Sequence, residues 1–311
     1  MKYLPYKSGI LDVSDGHTLN YELYGNPKGI PVVFLHGGPG GGFDDKDKRF
    51  FDPKVWNVLL FDQRGSGKST PFASIKNNDT WKIVEDINAL TKMCSFKKFV
   101  LFGGSWGSTL SLTYAITHPH RIMGMVLRGI YLNTPEEQDY IYNNAKFFQP
   151  AVWERFMSLV PKKEHKNATK YYHEKIFSDD ARISEKYCFE WSLYELSLLF
   201  LKPNHKKIEH MLTSDPVALS LAKIETHYFI NNCFLKKDFM KDNVEKIQHI
   251  PTYIVHGAYD LVCPPSSAYT LHGYLPKSTL HMVHAGHASS EPAITRALVK
   301  GLGEILKECS Q

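Results

Sequence analysis

One serine stands in a pattern that supports nucleophilic chemistry. Ser105 is the central residue of Gly-Gly-Ser-Trp-Gly at positions 103–107, which follows the apolar run Phe99–Phe102 and precedes a predicted helix from Ser108 to Ile116. A sharp strand-to-helix turn of this kind exposes the serine hydroxyl, and its glycines let the strand and the helix pass closely. The pattern predicts a catalytic serine. The alternative is a glycine-rich turn that carries a serine by chance.

A serine hydroxyl is a weak nucleophile at neutral pH, so it needs a histidine base that an acid holds in one tautomer. Asp260 follows the apolar run Ile254-Val255, and His287 follows the run Leu280–Val283. Both come directly after predicted strands, at the sheet edge where open α/β folds place their sites. We therefore predict Ser105 as nucleophile, His287 as general base and Asp260 as the acid that orients it.

The chain contains 15 histidines, so the choice of His287 depends on its position. His281 lies within a predicted strand, His284 begins a loop and His256 ends its own strand, which favours structural roles for these three. Only His287 combines a glycine-flanked loop, the required chain order and a following helix.

Acyl transfer also needs hydrogen-bond donors for the developing oxyanion. The stretch His-Gly-Gly-Pro-Gly-Gly-Gly at 36–42 follows the first core strand, and we predict the backbone N–H groups of Gly38 and Trp106 as these donors. A phosphate-binding loop is the alternative, but no Lys-Ser/Thr pair closes it. The turn at 62–67, which contains Asp62 and Arg64, is interpreted as scaffolding in which one of these two residues pairs internally.

Short apolar runs alternate with longer amphipathic stretches from about residue 30 to 128, and the rhythm resumes at Ile250. This predicts an α/β-hydrolase fold, with a mostly parallel sheet and helices on both faces. Residues 9–24 predict a hairpin around Asp15-Gly16. An aromatic-rich helical block interrupts the pattern, so we predict a core of residues 1–133 and 247–311 with a helical cap at 134–246.

Composition excludes several other classes of protein. The 37 Lys and Arg residues and 32 Asp and Glu residues give a spread net charge of +5, which does not favour nucleic-acid binding. No apolar run is long enough to span a membrane, and no secretory signal is recognised. The five scattered cysteines predict no metal site and fit a reducing compartment. We expect a cytoplasmic protein without cofactor; its oligomeric state stays open.

With these motifs in place, the chain resembles the proline iminopeptidase (prolyl aminopeptidase) family of serine peptidases. The resemblance covers nearly the whole chain. Besides the stretches at 36–42, 62–65, 103–108, 250–252, 255–257 and 259–260, it includes Ala285-Gly286-His287 and two pieces of the cap, Trp191-Ser192-Leu193-Tyr194-Glu195 and Ile224-Glu225-Thr226-His227-Tyr228-Phe229.

The resemblance implies that Glu195 and Glu225 hold the charged N-terminal nitrogen of the substrate. Carboxylates in a partly dry pocket form short charge-assisted hydrogen bonds to a free amine that an acylated nitrogen cannot make. The alternative is that both are ordinary surface carboxylates. Arg128 matches a family Arg-Gly-Ile-Phe segment; it either neutralises the two glutamates in the empty site or ties the cap to the core.

Tyr131 and the cap aromatics are expected to form an apolar slot for a proline ring. The sequence departs from the family at Tyr194, where Trp is usual, at Tyr131, where Phe is common, and at Ile141, where an aromatic residue is usual. These departures change selectivity by about 1–3 kcal/mol, which broadens the proline preference without abolishing aminopeptidase activity.

The sequence therefore predicts a serine exopeptidase that releases an N-terminal amino acid, preferentially proline, from peptides with a free amino terminus. Two alternatives remain. The first is an esterase or amidase of the same fold with broad specificity, and the second is a catalytically silent binding protein.

Overall fold

The computed structural model describes residues 3–309, in which eight strands form one mostly parallel sheet. In chain order the strands are β1 (Lys7–Asp12), β2 (Thr18–Gly25), β3 (Ile30–Leu35), β4 (Trp56–Phe61), β5 (Phe99–Ser105), β6 (Ile122–Ile130), β7 (Thr252–Gly257) and β8 (Ser278–Val283). Their order in the sheet is β1-β2-β4-β3-β5-β6-β7-β8. The pairs β1/β2 and β2/β4 are antiparallel, and all other neighbours are parallel. The predicted fold class is confirmed.

Within residues 3–309 the α-helices all follow β4 in the chain, and seven of them come in succession between β6 and β7. They are α1 (Thr80–Met93), α2 (Trp106–Thr117), α3 (Pro135–Asp139), α4 (Pro150–Ser158), α5 (Ala168–Ile176), α6 (Ala181–Leu198), α7 (His205–Ser214), α8 (Val217–Ile230), α9 (Phe239–Asn243), α10 (Pro265–Tyr274) and α11 (Pro292–Cys309). No helix within residues 3–309 has both the length and the apolar character required to cross a membrane. The outer ends of the predicted core, residues 1–2 and 310–311, lie outside the described residues.

The central strands of the sheet are buried on both faces. Successive side chains of a strand point to opposite sides, and helices pack against each side. In β3, Val33 and Leu35 join an apolar cluster with α1 and α2, whereas Val32 and Phe34 join a second cluster with α11. This is why the strands read as continuous apolar runs. The predicted hairpin is also confirmed, since β1 and β2 pair across a turn at Asp15 and Gly16.

The strand that leads to Ser105 is longer than its apolar run. The sequence placed its end at Phe102, but pairing with β6 continues through both glycines until Ser105 lies opposite Ile130. Backbone hydrogen bonds hold these positions in the sheet although the glycines carry no side chains to pack. Ser105 is consequently both the last residue of β5 and the residue that precedes α2.

Residues 134–246, called here the helical segment, contain no strand and lie between the neighbouring strands β6 and β7. Aromatic rings form much of its interior: Phe156 stacks on Tyr172 and Tyr194, with ring centroids 4.3 and 4.1 Å apart. Helix α8 also touches the glycine-rich loop after β3, because Ser220 Oγ donates a hydrogen bond of 2.9 Å to the Gly40 carbonyl.

Candidate active site

Ser105 occupies a strained backbone position at the turn between β5 and α2. Its φ of 59° and ψ of −128° lie outside the usual regions for a residue with a side chain. The neighbouring glycines make the turn possible, because a Cβ on Gly107 would lie 2.1 Å from the Leu35 carbonyl oxygen and one on Gly103 would lie 2.2 Å from the Gly107 oxygen. Only glycine permits so close a passage of helix and strand.

The acid and the predicted base are in direct contact. His287 Nδ1 lies 2.7 Å from Asp260 Oδ2, and the backbone N–H groups of Val262 and Cys263 donate to Asp260 Oδ1 at 2.9 and 2.8 Å. Burial alone would raise the pKa of Asp260, but the neighbouring His287 lowers it below its usual value. Burial lowers the pKa of His287, with Asp260 opposing the shift. The resting pair is therefore a carboxylate and a neutral imidazole, which is free to accept a proton.

Ser105 and His287 line the same open cleft, whose volume is about 490 Å³. Among the described residues no hydrogen bond joins the Ser105 hydroxyl to the His287 ring. Contacts of this kind commonly tighten only when substrate is bound. The structure thus brings all three predicted residues, Ser105, Asp260 and His287, to one end of the sheet.

A bulge in β6 makes room for the histidine ring. Gly104 pairs with Arg128 and Ser105 with Ile130, so Gly129 between them is an extra residue in the ladder. Gly129 has a φ of 52°, and a Cβ there would lie 2.8 Å from His287 Cε1. The role of Gly129 was not predicted from the sequence. The signal for it was a glycine in the strand that pairs with the Ser105 turn.

The two predicted oxyanion donors flank Ser105. Gly38 has a φ of 112°, and the loop passes so close that a Cβ on Gly37 would lie 3.3 Å from Ser105 Cβ. Trp106 is the first residue of α2, where backbone N–H groups have no acceptor within the helix. Its indole Nε1 donates to Gln63 Oε1 at 2.9 Å, which fixes the start of the helix.

The turn at 62–67 is scaffolding, as predicted. Arg64 forms a bidentate pair with Asp86, with Nε–Oδ2 and Nη2–Oδ1 distances of 2.7 and 2.8 Å. Asp62 accepts hydrogen bonds from the backbone N–H groups of Phe43 and Lys68 and from the side chain of Asn20. Through Asp62 the turn therefore connects the end of the glycine-rich loop to strand β2.

Glu195 and Glu225 line a small cavity that Ser105 also lines, and Glu195 lines the open cleft as well. Glu225 is 1% exposed, and Trp191 Nε1 donates to its Oε2 at 2.7 Å. Burial, then the charge of Glu195, raises the pKa of Glu225 well above its usual value, and burial raises the pKa of Glu195. No Lys, Arg or His of residues 3–309 forms an ion pair with either carboxyl group, so no positive charge offsets the repulsion that favours the protonated form of the pair.

Arg128 and Tyr131 lie on different sides of Ser105. The Arg128 Nη1 group donates to the His287 carbonyl at 2.9 Å, and no ion pair joins it to Glu195 or Glu225 within the described part of the chain. Arg128 thus contacts the histidine loop directly, and it lines the open cleft together with Glu195 of the helical segment. Tyr131 lines the small cavity and meets the Phe229 ring edge-on, at a centroid distance of 6.1 Å.

The other histidines examined in the sequence have structural or exposed positions. His256 is buried, accepts from the Ile130 N–H at 3.1 Å and lies 3.0 Å from the Cys263 carbonyl. His284 is exposed beside Tyr259, and His281 is half-buried within β8. Of these candidates, His287 makes the short hydrogen bond to Asp260 Oδ2, whereas His256 Nε2 lies 3.5 Å from the same oxygen.

Two residues of the helical segment near the site were missed by the sequence analysis. Glu137 is buried and accepts from the backbone N–H groups of Leu132 and Thr134 and from Ser267 Oγ. The capping-box spacing Thr134-x-x-Glu137 was the signal that could have found it. Tyr140 donates its hydroxyl to the Asp260 carbonyl at 2.7 Å, a contact across 120 residues that no local pattern announces.

Comparison with known families supports the fold. A family model described as alpha/beta hydrolase fold matches residues 30–293. Among solved structures, an esterase from Exiguobacterium antarcticum superposes with a TM-score of 0.67 at 18% identity, covering 96% of this chain and 100% of that one. A putative aryl esterase from Burkholderia cenocepacia gives 0.67 at 18% identity, with 97% and 100% covered. Likeness at this level of identity concerns the fold alone.

Sequence relatives are much closer. A proline iminopeptidase from Arabidopsis thaliana is 45% identical over 299 residues, which are 95% of this chain and 78% of the relative. A probable proline iminopeptidase from Leptolyngbya boryana is 44% identical, with 95% and 92% covered. A proline iminopeptidase from Neisseria meningitidis is 39% identical over 305 residues, with 97% of each chain covered.

Proposed function

The chain belongs to the proline iminopeptidase family of the α/β-hydrolase fold, and we propose that it is a serine exopeptidase that releases an N-terminal amino acid, preferentially proline, from peptides. The observation that carries this proposal is the carboxyl pair of the half-buried Glu195 and the buried Glu225, which has no cationic partner within residues 3–309 and lines the same small cavity as Ser105. Such a pair is stabilised by a ligand that brings positive charge, and a free peptide amino terminus does so.

In the proposed mechanism the N-terminal residue enters the small cavity and its nitrogen binds the two carboxylates. Ser105 Oγ then attacks the carbonyl carbon of that residue while His287 accepts the hydroxyl proton. The backbone N–H groups of Gly38 and Trp106 stabilise the oxyanion. His287, supported by Asp260, passes the proton to the leaving nitrogen, and the peptide C–N bond breaks.

In the second half of the reaction water takes the place of the serine hydroxyl as nucleophile. Water attacks the acyl group on Ser105 while His287 accepts its proton, and His287 returns that proton to Ser105 Oγ as the ester bond breaks and the free amino acid is released. The remainder of the peptide leaves through the open cleft, which contains His287 and Arg128 but neither Tyr131 nor Glu225. We propose that Arg128 contributes to binding indirectly, by holding the His287 loop.

Selectivity follows from the shape and chemistry of the small cavity. Its apolar lining, which includes Tyr131, Ile141 and Phe229, suits a compact ring. A protonated proline nitrogen carries two hydrogens, one for each carboxylate, and an acetylated nitrogen carries neither hydrogen nor charge. In this proposal residues 134–246 act as a cap that encloses the N-terminal residue over the core of 1–133 and 247–311.

The proposed cytoplasmic location has a separate basis. All five cysteines are free within the described residues, and buried free thiols are typical of proteins from reducing compartments. Cell fractionation with an antibody against the chain tests this; recovery in a secreted or membrane fraction would reject it.

The decisive experiment compares prolyl-naphthylamide, alanyl-naphthylamide and N-acetyl-prolyl-naphthylamide as substrates. We expect preference for the free prolyl substrate, no turnover by Ser105→Ala, and loss of discrimination against the acetyl group in Glu225→Gln. Glu85→Gln, which changes an exposed glutamate of α1, is the matched control. Equal cleavage of the acetylated substrate by the wild type would sink the aminopeptidase proposal and leave a general esterase or amidase.

A further inference from the structure

The hydroxyl of Tyr140 connects the helical segment to the acid of the site. It donates to the Asp260 carbonyl at 2.7 Å, and within residues 3–309 it is the only group of the helical segment that hydrogen-bonds to Asp260. The Asp260 side chain is occupied elsewhere, by His287 on one oxygen and by two backbone N–H groups on the other. Tyr140 therefore acts on the main chain from which the carboxylate projects.

Tyr140 also begins an unusual turn. Residues Tyr140–Asn144 form a single π-helical turn directly after α3. Such turns are rare, and they leave backbone carbonyls away from their usual acceptor positions. Here two side chains use those carbonyls: Tyr194 Oη donates to the Ile141 oxygen at 2.6 Å, and Trp153 Nε1 donates to the Tyr142 oxygen at 2.7 Å. The turn is thus held by side chains from α4 and α6.

The same turn forms one wall of the small cavity. Ile141 and Tyr142 line that cavity, whereas Tyr140 does not. A residue that fills the cavity will press on Ile141 and Tyr142, one peptide unit from the residue that holds Asp260. Tyr140 lines neither this cavity nor the open cleft, so its own direct contact with the site is the hydrogen bond to Asp260.

From this geometry we propose that Tyr140 is a positioning residue, which orients the Asp260–His287 pair through its hydrogen bond to the Asp260 carbonyl and so links occupancy of the small cavity to the catalytic machinery. The proposal rests on the function proposed above for Ser105, Asp260 and His287. It adds a residue outside the substrate's reach that sets how well the acid supports the imidazolium.

Tyr140→Phe tests this, with Tyr187→Phe as the matched control. Tyr187 is a tyrosine of the helical segment whose hydroxyl likewise donates to a carbonyl, that of Leu159 at 3.1 Å, but it lines neither cavity of the site. One lost hydrogen bond corresponds to a reduction of kcat of about fivefold to tenfold. We expect that loss in Tyr140→Phe, with KM changed less than about twofold and kcat unchanged in Tyr187→Phe.

Two readouts separate positioning from a merely structural effect. The acid limb of the pH profile of kcat/KM should move to lower pH in Tyr140→Phe, because a less well oriented Asp260 stabilises the His287 imidazolium less. The rate at which a small fluorophosphonate modifies Ser105 should fall by the same factor as kcat, although this probe does not use the glutamate pair. A change in KM alone, with both readouts unchanged, would overturn the proposal.

A third measurement does not depend on turnover. The proton on His287 Nδ1 should give a low-field NMR resonance, assigned by its loss in Asp260→Asn, and Tyr140→Phe should shift or broaden it while Tyr187→Phe leaves it in place. If the wild type hydrolyses no substrate, the proposed function fails, and this resonance still decides whether Tyr140 orients the pair. An unchanged resonance would refute the role of Tyr140.

Discussion

Two carboxyl groups of this molecule are almost equally buried, yet they have opposite surroundings. Asp86 is 2% exposed and is held by the guanidinium of Arg64, at Nε–Oδ2 and Nη2–Oδ1 distances of 2.7 and 2.8 Å. Glu225 is 1% exposed and faces a second carboxyl group, that of Glu195, with an indole N–H as its hydrogen-bond donor. Within residues 3–309 the fold supplies a cation for Asp86 and supplies none for Glu225.

Under the proposed function, this difference separates a charge that serves folding from one that serves binding. Burial raises the pKa of Asp86 and Arg64 opposes the shift, so this pair is complete within the chain. For Glu225 both burial and the neighbouring carboxyl group raise the pKa, and in the proposal the substrate amine supplies the missing cation. Breaking the first pair should therefore damage stability, and altering the second should damage binding.

The largest effect is expected from Asp86→Asn. This change leaves the buried guanidinium of Arg64 without its main partner, and loss of one member of a buried ion pair costs about 3–5 kcal/mol of the free energy of unfolding. Urea denaturation measures it, and kcat/KM per folded molecule should stay at the wild-type value. Asp15→Asn is the control, because it removes the solvent-screened partner of the same arginine and should cost much less. Equal losses in both variants would contradict the comparison.

The next effect is that of Glu225→Gln, and it concerns activity rather than stability. A charge-assisted hydrogen bond contributes about 1.5–3 kcal/mol, so kcat/KM for a free-amine prolyl substrate should fall about tenfold to a hundredfold. The free energy of unfolding at neutral pH should equal or exceed that of the wild type, because the variant removes one of two crowded acids. Steady-state kinetics and urea denaturation on the same preparation measure both. A marked loss of stability with unchanged kcat/KM would show that Glu225 serves the fold.

The third effect is a pH dependence of stability, which is expected to be small within any one pH unit. The folded chain holds the Glu225 proton more tightly than the unfolded chain does, because its pKa is raised on folding. The stabilisation is therefore fully present at low pH and declines as the pH rises from the ordinary glutamate pKa towards the raised value, by at most about 1.4 kcal/mol per pH unit. The difference in free energy of unfolding between wild type and Glu225→Gln, followed from about pH 5 to pH 8, should show this slope. No slope, or a rise with pH, would mean that the pair is not protonated when empty.

The sequence predicted those features that depend on local pattern. Apolar runs such as Phe99–Phe102 announced the parallel strands, and the order of Ser105, Asp260 and His287 after three strands predicted that they would meet at one sheet edge. This worked because the carboxyl ends of parallel strands share an edge whatever the intervening sequence is. The roles of these residues remain predictions that the experiments above address.

Features that depend on contacts between residues far apart in the chain could not be predicted from the sequence. The contact of Tyr140 with Asp260 spans 120 residues, and Arg128 contacts the carbonyl of His287 rather than a glutamate. The bulge at Gly129 is a change of register between two strands, which periodicity within either strand does not encode. The π-helical turn at Tyr140–Asn144 depends on donors from Trp153 and Tyr194, so it too is decided by tertiary packing.

Helix α8 fixes the distance between two parts of the site. Near its start, Ser220 is fastened to the Gly40 carbonyl of the glycine-rich loop, and one and a half turns later the same helix carries Glu225. A helix of this length does not stretch, so the separation between the backbone of Glu225 and the glycine-rich loop is constant. In the proposed mechanism, a substrate bound by Glu225 and by the oxyanion donors must then present its first carbonyl to Ser105, whatever its sequence. One extra backbone carbon, as in a β-amino acid, would displace that carbonyl from Ser105. In this mechanism the length of one helix therefore restricts the substrates to peptides that begin with an α-amino acid.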